Sequence, residues 1–462
     1  MSTDVAVLGA GPAGLAAAHR LATTGRSVVV LERAGRVGGL AGSFDVAGVR
    51  VDHGSHRLHP ATAPDVMVLL RSLLGDDLQR RPRHGRIRLA GRWVAFPPHA
   101  GDLFRNLPPT FALGLARDTL TAPLRRPRAD TFAEVVRAGL GPTMAEHFYS
   151  PYVQKIWATP PGELSGELAR RRVGARSSGD LVRKVVRRRG ADPDAGCFYY
   201  PRHGYGEIVE RLADAAVGAG ADVRLDTEVL GIDDGTAGAC VRTEAEVLDA
   251  DVVLSTVPLT LLPRLVTPAA TDAVCAAAGA LHFRALTLVY VVLEQPRYTE
   301  FDAHYFPGLD VPFSRVSEPK NYRDGAGSDP PDRTVLCAEV PCSPGDEIWR
   351  AGADELGDLV CSRLAALGLP RAAPVAAEVR RVPNAYPVYR VGFEQDFALL
   401  DEWASSLGRV ATLGRQGLFA HDNTHHALAM GRTAADAVRD GQLDTSSWSA
   451  AREVFRSHVV ED

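Results

Sequence analysis

No run in the chain approaches the ~18 consecutive apolar residues that a membrane-spanning helix needs, so no such helix is expected. Lysine is nearly missing. Lys155, Lys184 and Lys320 are the only three, and arginine carries the rest of the positive charge. Cysteine is sparse and shows no pairing pattern. Cys197, Cys240, Cys275, Cys337, Cys342 and Cys361 form no C-x-x-C pair and no ligand-like spacing, which argues for reduced thiols and against a disulfide framework. The opening "MSTDVAVLGAG" runs into a strand-like segment without a charged and apolar leader, so a cytoplasmic protein is expected. A net charge of −4 over 462 residues gives no reason to expect nucleic acid as a partner. Internal repeats and low-complexity tracts are also absent, and nothing sets the oligomeric state.

What is present, and early, is glycine. "DVAVLGAG" (4–11) is an apolar run ending in glycines, "PAGLAAAHRLATTG" (12–25) has helical spacing, and "SVVVLER" (27–33) is a second β-branched run. Strand, glycine turn, helix and strand within about 30 residues make a βαβ unit with a parallel pair. Gly9, Gly11 and Gly14 complete G-x-G-x-x-G in that context, with Pro12 and Ala13 between. The first glycine makes the turn, the second admits a pyrophosphate, and the third lets helix and strand pack closely. Pro12 suits the first helical position, whose N–H would be orphaned anyway. Glu32 ends the second strand at the distance expected of a ribose-binding acid. These residues predict a dinucleotide without saying which one.

The next residues decide it. "LERAGRVGGLAGSF" (31–44) resembles the FAD-binding motif of the flavoprotein amine oxidase superfamily, which includes protoporphyrinogen-oxidase-like proteins. The resemblance implies that Glu32, Arg33, Gly38 and Gly39, followed by Leu40 and Ala41, hold FAD. A dinucleotide extending past the first βαβ unit needs a second close backbone approach, which NAD does not. "VDHGSHRLHP" (51–60) is similar to the segment passing the isoalloxazine in the subgroup that contains UDP-galactopyranose mutase. It implies cofactor contacts for Gly54, Ser55 and His56. "FYSPYVQKIWATPPGELSGELARRRV" (148–173), "FSRVSEPKNY" (313–322) and "LCAEVPCSPGDEIW" (336–349) resemble the same subgroup. "GRQGLFAHDNTHHALAMG" (414–431) looks like the C-terminal flavin motif, with Gly414, Arg415, Asn423, Thr424 and His425 at the cofactor. A helix start at 423–426 would favour negative charge on the reduced flavin. Val229 is placed with the cofactor set. The paired arginines that the resemblance implies for a nucleotide diphosphate are not located by motif.

The implied fold is α/β: a Rossmann-like FAD-binding domain of glutathione-reductase type, with an inserted α+β substrate domain. The cofactor domain is expected in three pieces (1–75, 201–280, 404–440). A helical, basic cap is expected over 76–200, a substrate-domain sheet over 281–403, and a tail over 441–462. The 76–200 block carries an excess of ten positive charges.

Several residues invite a role. His56 and Arg57 are expected to donate to flavin or substrate. Lys320, the only lysine in the second half of the chain, could serve the flavin or lie in a solvated loop. His421 and His425 could face substrate or serve as capping and packing residues. No metal is expected from His53, His56 and His59 or from the 421–426 cluster, since no acidic ligand accompanies the first set. Tyr199, Tyr200, Tyr386 and Tyr389 could wall a cavity or fill a core. The arginine run 169–190 allows a solvated face, a funnel for an anionic substrate, or contact with an acidic membrane. Membrane contact is set aside because no apolar anchor accompanies the run. The expected function is FAD-dependent dehydrogenation of a small polar, anionic or sugar-like metabolite, with hydride passing to flavin N5. The alternative is a non-redox isomerase resembling UDP-galactopyranose mutase, with reduced flavin N5 as nucleophile.

Overall fold

The computed structural model describes residues 2–97, 102, 105–173, 196–324 and 329–460. The β-branched runs Ser2–Leu8 and Val28–Leu31 pair in parallel, Val5 opposite Val28 through Leu8 opposite Leu31. Helix Pro12–Thr23 is the crossover, and its buried face of Ala13, Gly14, Ala16 and Ala17 is small enough to lie close to the sheet. Asp222–Arg224 extends the parallel set beyond Val28–Leu31, and Val247–Ser255 pairs with Ser2–Leu8 on the other side. Val410–Thr412 lies parallel to Val247–Ser255. An antiparallel meander, Val229–Asp234 to Ala239–Thr243 to Val247–Ser255, and the short edge strand Val266–Thr267, parallel to Val229–Asp234, complete this eight-stranded sheet. Three separated stretches of chain therefore build one Rossmann-like core, of the expected α/β class.

The second sheet has seven strands in the order 376–387, 283–293, 334–342, 315–317, 303–305, 85–89, 92–96. It is antiparallel except where 303–305 meets 85–89. The last two strands revise the expectation of a helical 76–200 block. In Gly85–Leu89 the positions alternate buried and half-buried, with arginines at the outward ones. The alternation runs for only five residues beside the arginine- and proline-rich 80–84, which made the segment read as a loop. The rest of the block does supply helices, including Pro109–Thr121, Phe132–Leu140, Ser150–Trp157 and Gly166–Arg172. Residues 174–190 of the arginine run lie outside the described residues.

The 441–462 segment also differs from the expected tail. Helix Thr445–Arg456 buries Trp448, Arg452 and Phe455, and Arg452 pairs with buried Asp401. Only two apolar side chains and one arginine define its inner face, too few for the sequence to show helical periodicity. Cores lie on both faces of the first sheet. Leu15, Leu212 and Leu428 fill one, and Leu8, Phe132, Trp157 and Phe419 fill the other. Truncating a fully buried leucine such as Leu15 would cost about 2–5 kcal/mol.

Candidate active site

The two glycine turns stack on one another. Gly9 adopts φ +101° and donates its N–H to Leu31 O at 2.8 Å. A Cβ on Gly14 would lie 2.0 Å from Gly9 O, whereas one on Gly11 would meet no atom within 4 Å. Gly14 thus serves the fold, and Gly11 keeps open a space that the protein does not fill. Gly38, at φ +115°, donates its N–H to Ala10 O at 2.8 Å. A Cβ on Gly39 would lie 3.5 Å from Gly11 Cα. Gly39, Leu40 and Ala41 form a short 3-10 turn over the first loop. The two oxygens of Glu32 accept the N–H groups of Ala10 (2.8 Å) and Ala34 (2.9 Å), which fixes the carboxylate beside the first turn. Thr227 N–H donates to Glu32 O at 2.8 Å, so Val229 begins two residues from this corner.

Arg33 is not drawn into this cradle. Its side chain is 75% exposed and faces Glu228 at 3.8 Å. Arg36 is also exposed, and its Nη2 donates to His53 Nε2 at 2.8 Å. His53 Nδ1 then donates to Gly42 O (2.9 Å), and burial pulls its pKa below the ordinary imidazole value. The sequence signal was a second arginine placed directly before "VGG".

Segment 52–57 is held from below by buried Asp52. Its carboxylate accepts from Ser43 Oγ (2.6 Å), Tyr200 OH (2.6 Å) and Tyr205 N–H (3.0 Å), and its carbonyl accepts from Tyr290 OH (2.6 Å). Gly54 turns at φ +93°. Ser55 N–H then donates to Glu339 Oε1 at 2.8 Å, and Ser55 Oγ meets Tyr322 OH at 2.5 Å. His56 stacks on Tyr205 at 5.2 Å and bonds through Nε2 to His53 O at 3.0 Å. Burial lowers its pKa, with Asp52 opposing, so the ring is held neutral. Arg315 clamps Glu339 (Nη2–Oε1 2.7 Å) and donates to Ser55 O at 3.2 Å. Both residues were missed because strands distant in sequence deliver them.

Arg57 follows in the same segment and lies in a buried polar cluster. Its guanidinium pairs with buried Asp302 (3.1 Å), donates to Tyr305 OH (2.6 Å), and lies 5.1 Å from each of the Phe198 and Tyr322 rings. It braces the loop beside His56, and its Nε carries no hydrogen-bond partner among the described residues. Lys320 is also committed elsewhere. Its Nζ donates to Pro330 O (2.8 Å) and Arg333 O (2.7 Å), tying its turn to the start of strand Thr334–Cys342. His53, His56 and His59 do not gather as metal ligands, since the first two rings are turned to backbone carbonyls.

The C-terminal motif closes the cradle from the other side. A Cβ on Gly431 would lie 2.1 Å from Ala13 O, so helix Thr424–Asp436 packs directly on the backbone of Pro12–Thr23. Asn423 caps this helix through a reciprocal box with His426. Thr424 hydrogen-bonds Tyr205, and His425 lies 6.2 Å from His59, which brings segments 52–59 and 423–426 together. Gly414 (φ +77°) packs against Ala13, where an added Cβ would lie 3.0 Å from the alanine Cβ. Arg415 donates to Asp422 O (2.9 Å) and Ala385 O (2.8 Å).

Arg172 lies over Trp157 (5.5 Å) and Tyr386 (5.9 Å), and Arg415 lies 5.8 Å from Tyr386. Arg284 donates to Ile156 O at 3.3 Å. Among the described residues, no carboxylate comes within ion-pair distance of Arg172, Arg284 or Arg415. Trp157 is fixed by its Nε1–H to Pro387 O (2.9 Å). Buried His421 is wedged between Trp157 (5.7 Å) and Tyr389 (4.9 Å). Burial first, then Arg172 and Arg415, hold its pKa well below the usual range, so it is a neutral wall residue. Of the four tyrosines, Tyr200 and Tyr389 are core, Tyr199 lies beneath Arg71 (6.0 Å), and Tyr386 stands among the arginines.

Two stacked glycine turns, an acid at the end of the second strand and a second helix N-terminus converge on one unfilled space. That constellation defines a dinucleotide-binding flavoprotein of the oxidoreductase class, and the open face of Gly11 fits an extended FAD. The chain matches the flavin containing amine oxidoreductase profile over residues 12–439 and belongs to that family, whose cofactor is FAD. A protein of Mycobacterium tuberculosis named as a flavin-containing monoamine oxidase is 28% identical over 271 residues, covering 56% of this chain and 57% of that relative. The chain thus aligns with little more than half the length of that relative. Reduced UDP-galactopyranose mutase shares the fold with a TM-score of 0.80 at 21% identity, over 99% of this chain and 100% of the other. Putrescine oxidase bound to putrescine superposes with a TM-score of 0.69 at 21% identity, over 94% and 98%.

Proposed function

We propose that the protein dehydrogenates a small anionic, sugar-like metabolite, for which FAD, when bound, would supply the electron acceptor. The observation that carries this reading is the set of arginines without carboxylate partners, Arg172, Arg284 and Arg415, around Trp157 and Tyr386. These guanidinium groups are half-buried, and a partly desolvated cation with no counter-charge favours an anion. A protonated amine would meet repulsion at the same place, which sets this site apart from one built for a cationic amine. The protein's own part is orientation and electrostatics. Half-buried Tyr386 offers a flat wall for an uncharged ring, and the arginines hold the anionic end. Ser55, His56 and Tyr205 shape the floor. His56 and His421 are neutral, and neither is placed as a strong acid.

The same arginines favour a second reading, isomerisation of a nucleotide diphosphate sugar without net redox change. Six free thiols support a reducing, cytoplasmic setting. The test is kinetic. Arg172→Met and Arg284→Met should raise KM for an anionic substrate at least about tenfold, as expected for a lost charge-assisted contact, and leave the flavin spectrum unchanged. An unchanged KM would overturn the anionic assignment. Turnover without consumption of any electron acceptor would favour the isomerase.

A further inference from the structure

Helix Pro109–Thr121 and the turn Ala122–Leu124 cover the outer side of hairpin 85–96. Their inner face is well anchored. Leu107 and Phe111 bury against Ile87, Leu89 and Val94. Asp118 accepts Thr143 N–H at 2.8 Å, and a Cβ on Gly114 would lie 2.5 Å from Thr143 Oγ1.

The outer face is not covered. Leu113, Leu120 and Leu124 are 72%, 81% and 83% exposed, and their spacing of seven and four sets them on one stripe of the helix. Arg117 stands on the same stripe. Residues 105–128 hold five arginines (Arg105, Arg117, Arg125, Arg126 and Arg128) against a single acid, the buried Asp118. Arg125 turns inward to Ala138 O (3.1 Å), and Arg105, Arg117, Arg126 and Arg128 are exposed. A groove of about 490 Å³ runs beside the stripe, with Phe111, Leu113, Arg117 and Arg137 in its walls.

We propose that this stripe docks the protein on an anionic lipid surface, with the leucines in the headgroup–acyl boundary and the arginines on lipid phosphates. Protruding leucines on a convex helix with a basic rim match such a surface in both polarity and charge. A second copy of the chain is a poorer occupant, because it would set one arginine-rich segment against another. The arginine run 169–190 suggested no membrane contact because it carries no apolar anchor, and this stripe supplies one from a different segment. The attachment is peripheral: among the described residues no helix is long and apolar enough to cross a membrane.

The test uses the full-length, FAD-loaded protein sedimented with vesicles of phosphatidylcholine, with or without phosphatidylglycerol. Binding should require phosphatidylglycerol and weaken with salt. Each arginine at the surface is worth about fivefold in partitioning, so R105Q/R126Q/R128Q, which spares the Arg117–Asp118 pair, should lower binding by about a hundredfold. L113S/L120S/L124S should lose at least about tenfold per leucine removed from the boundary. All three leucines are exposed, so both variants should keep the parent Tm and flavin spectrum. Failure of the parent to sediment with anionic vesicles would overturn the proposal, and so would binding unaffected by the leucine substitutions. A dimer in solution that L113S/L120S/L124S splits, with no vesicle binding, would assign the stripe to a second copy instead.

Discussion

Alanine at position 11 would place its Cβ where the protein has no atom within 4 Å, while alanine at position 14 would drive its Cβ to 2.0 Å from Gly9 O. The two substitutions therefore separate cofactor from fold. Gly11 sits at φ −80°, ψ −179°, a conformation open to any residue. Gly11→Ala should leave the apoprotein unchanged or stabilise it by about 0.4–1 kcal/mol through the unfolded state. Gly14→Ala must displace backbone and should cost the apoprotein about 1–3 kcal/mol, as overpacking does. For FAD the order reverses in emphasis. A methyl group projecting into the space reserved for the pyrophosphate should weaken binding by a similar ~1–3 kcal/mol, about fivefold to 150-fold in Kd. Urea unfolding of the two apoproteins measures the first quantity, and quenching of FAD fluorescence on titration measures the second. The reasoning fails if Gly11→Ala binds FAD as the parent does, or if it destabilises the apoprotein as much as Gly14→Ala.

Arg36→Ala should weaken FAD binding by about tenfold or more, the worth of a charge-assisted contact. Arg33→Ala should change it little, and FAD titration of both variants reads the difference. Removing Arg57 leaves Asp302 as a buried unpaired charge, so R57M should lose about 3–5 kcal/mol in urea unfolding. R57M/D302N should recover part of that loss, and a double variant as unstable as the single one would refute the pairing. Burial pulls the Lys155 amine down to about 7, although its Nζ donates to Phe306 O (2.6 Å) and Phe313 O (3.0 Å). The unfolded chain holds that proton to about pH 10.4, so between these values the unfolded state binds more protons and stability rises with pH. Relative to K155M, the parent should gain stability as pH increases from neutral to alkaline, and a pH-independent difference in urea midpoint would contradict this.

The cofactor cradle was readable because its glycines have backbone causes that leave a local mark. Gly9, Gly14 and Gly38 each answer a turn or a close approach inside their own segment. Arg33 and Arg36 both precede the glycine pair, and only the folded turn sets Arg33 toward Glu228 and Arg36 toward His53. Arg57 and Lys320 show the limit of reading chemistry from residue type: the guanidinium pairs with Asp302, far along the chain, and the ammonium with the nearby carbonyls of Pro330 and Arg333. The substrate wall was less legible still. Arg172, Arg284, Arg315, Glu339 and Tyr386 come from a helix and separate strands, and only the seven-stranded sheet brings them to one place. The hairpin 85–96 was hidden by its short alternation beside the arginine- and proline-rich 80–84, and helix Thr445–Arg456 by an arginine on its inward face.

The most direct test of the central claim follows the visible flavin band of the purified holoprotein under anaerobic conditions, as acidic sugars and nucleotide-sugars are added. Bleaching by one of them, with recovery in air, is the predicted result and identifies the reductant. A band that no anionic candidate bleaches, in a protein whose dithionite-reduced form converts a nucleotide-sugar without consuming an acceptor, would contradict it and assign the site to isomerisation.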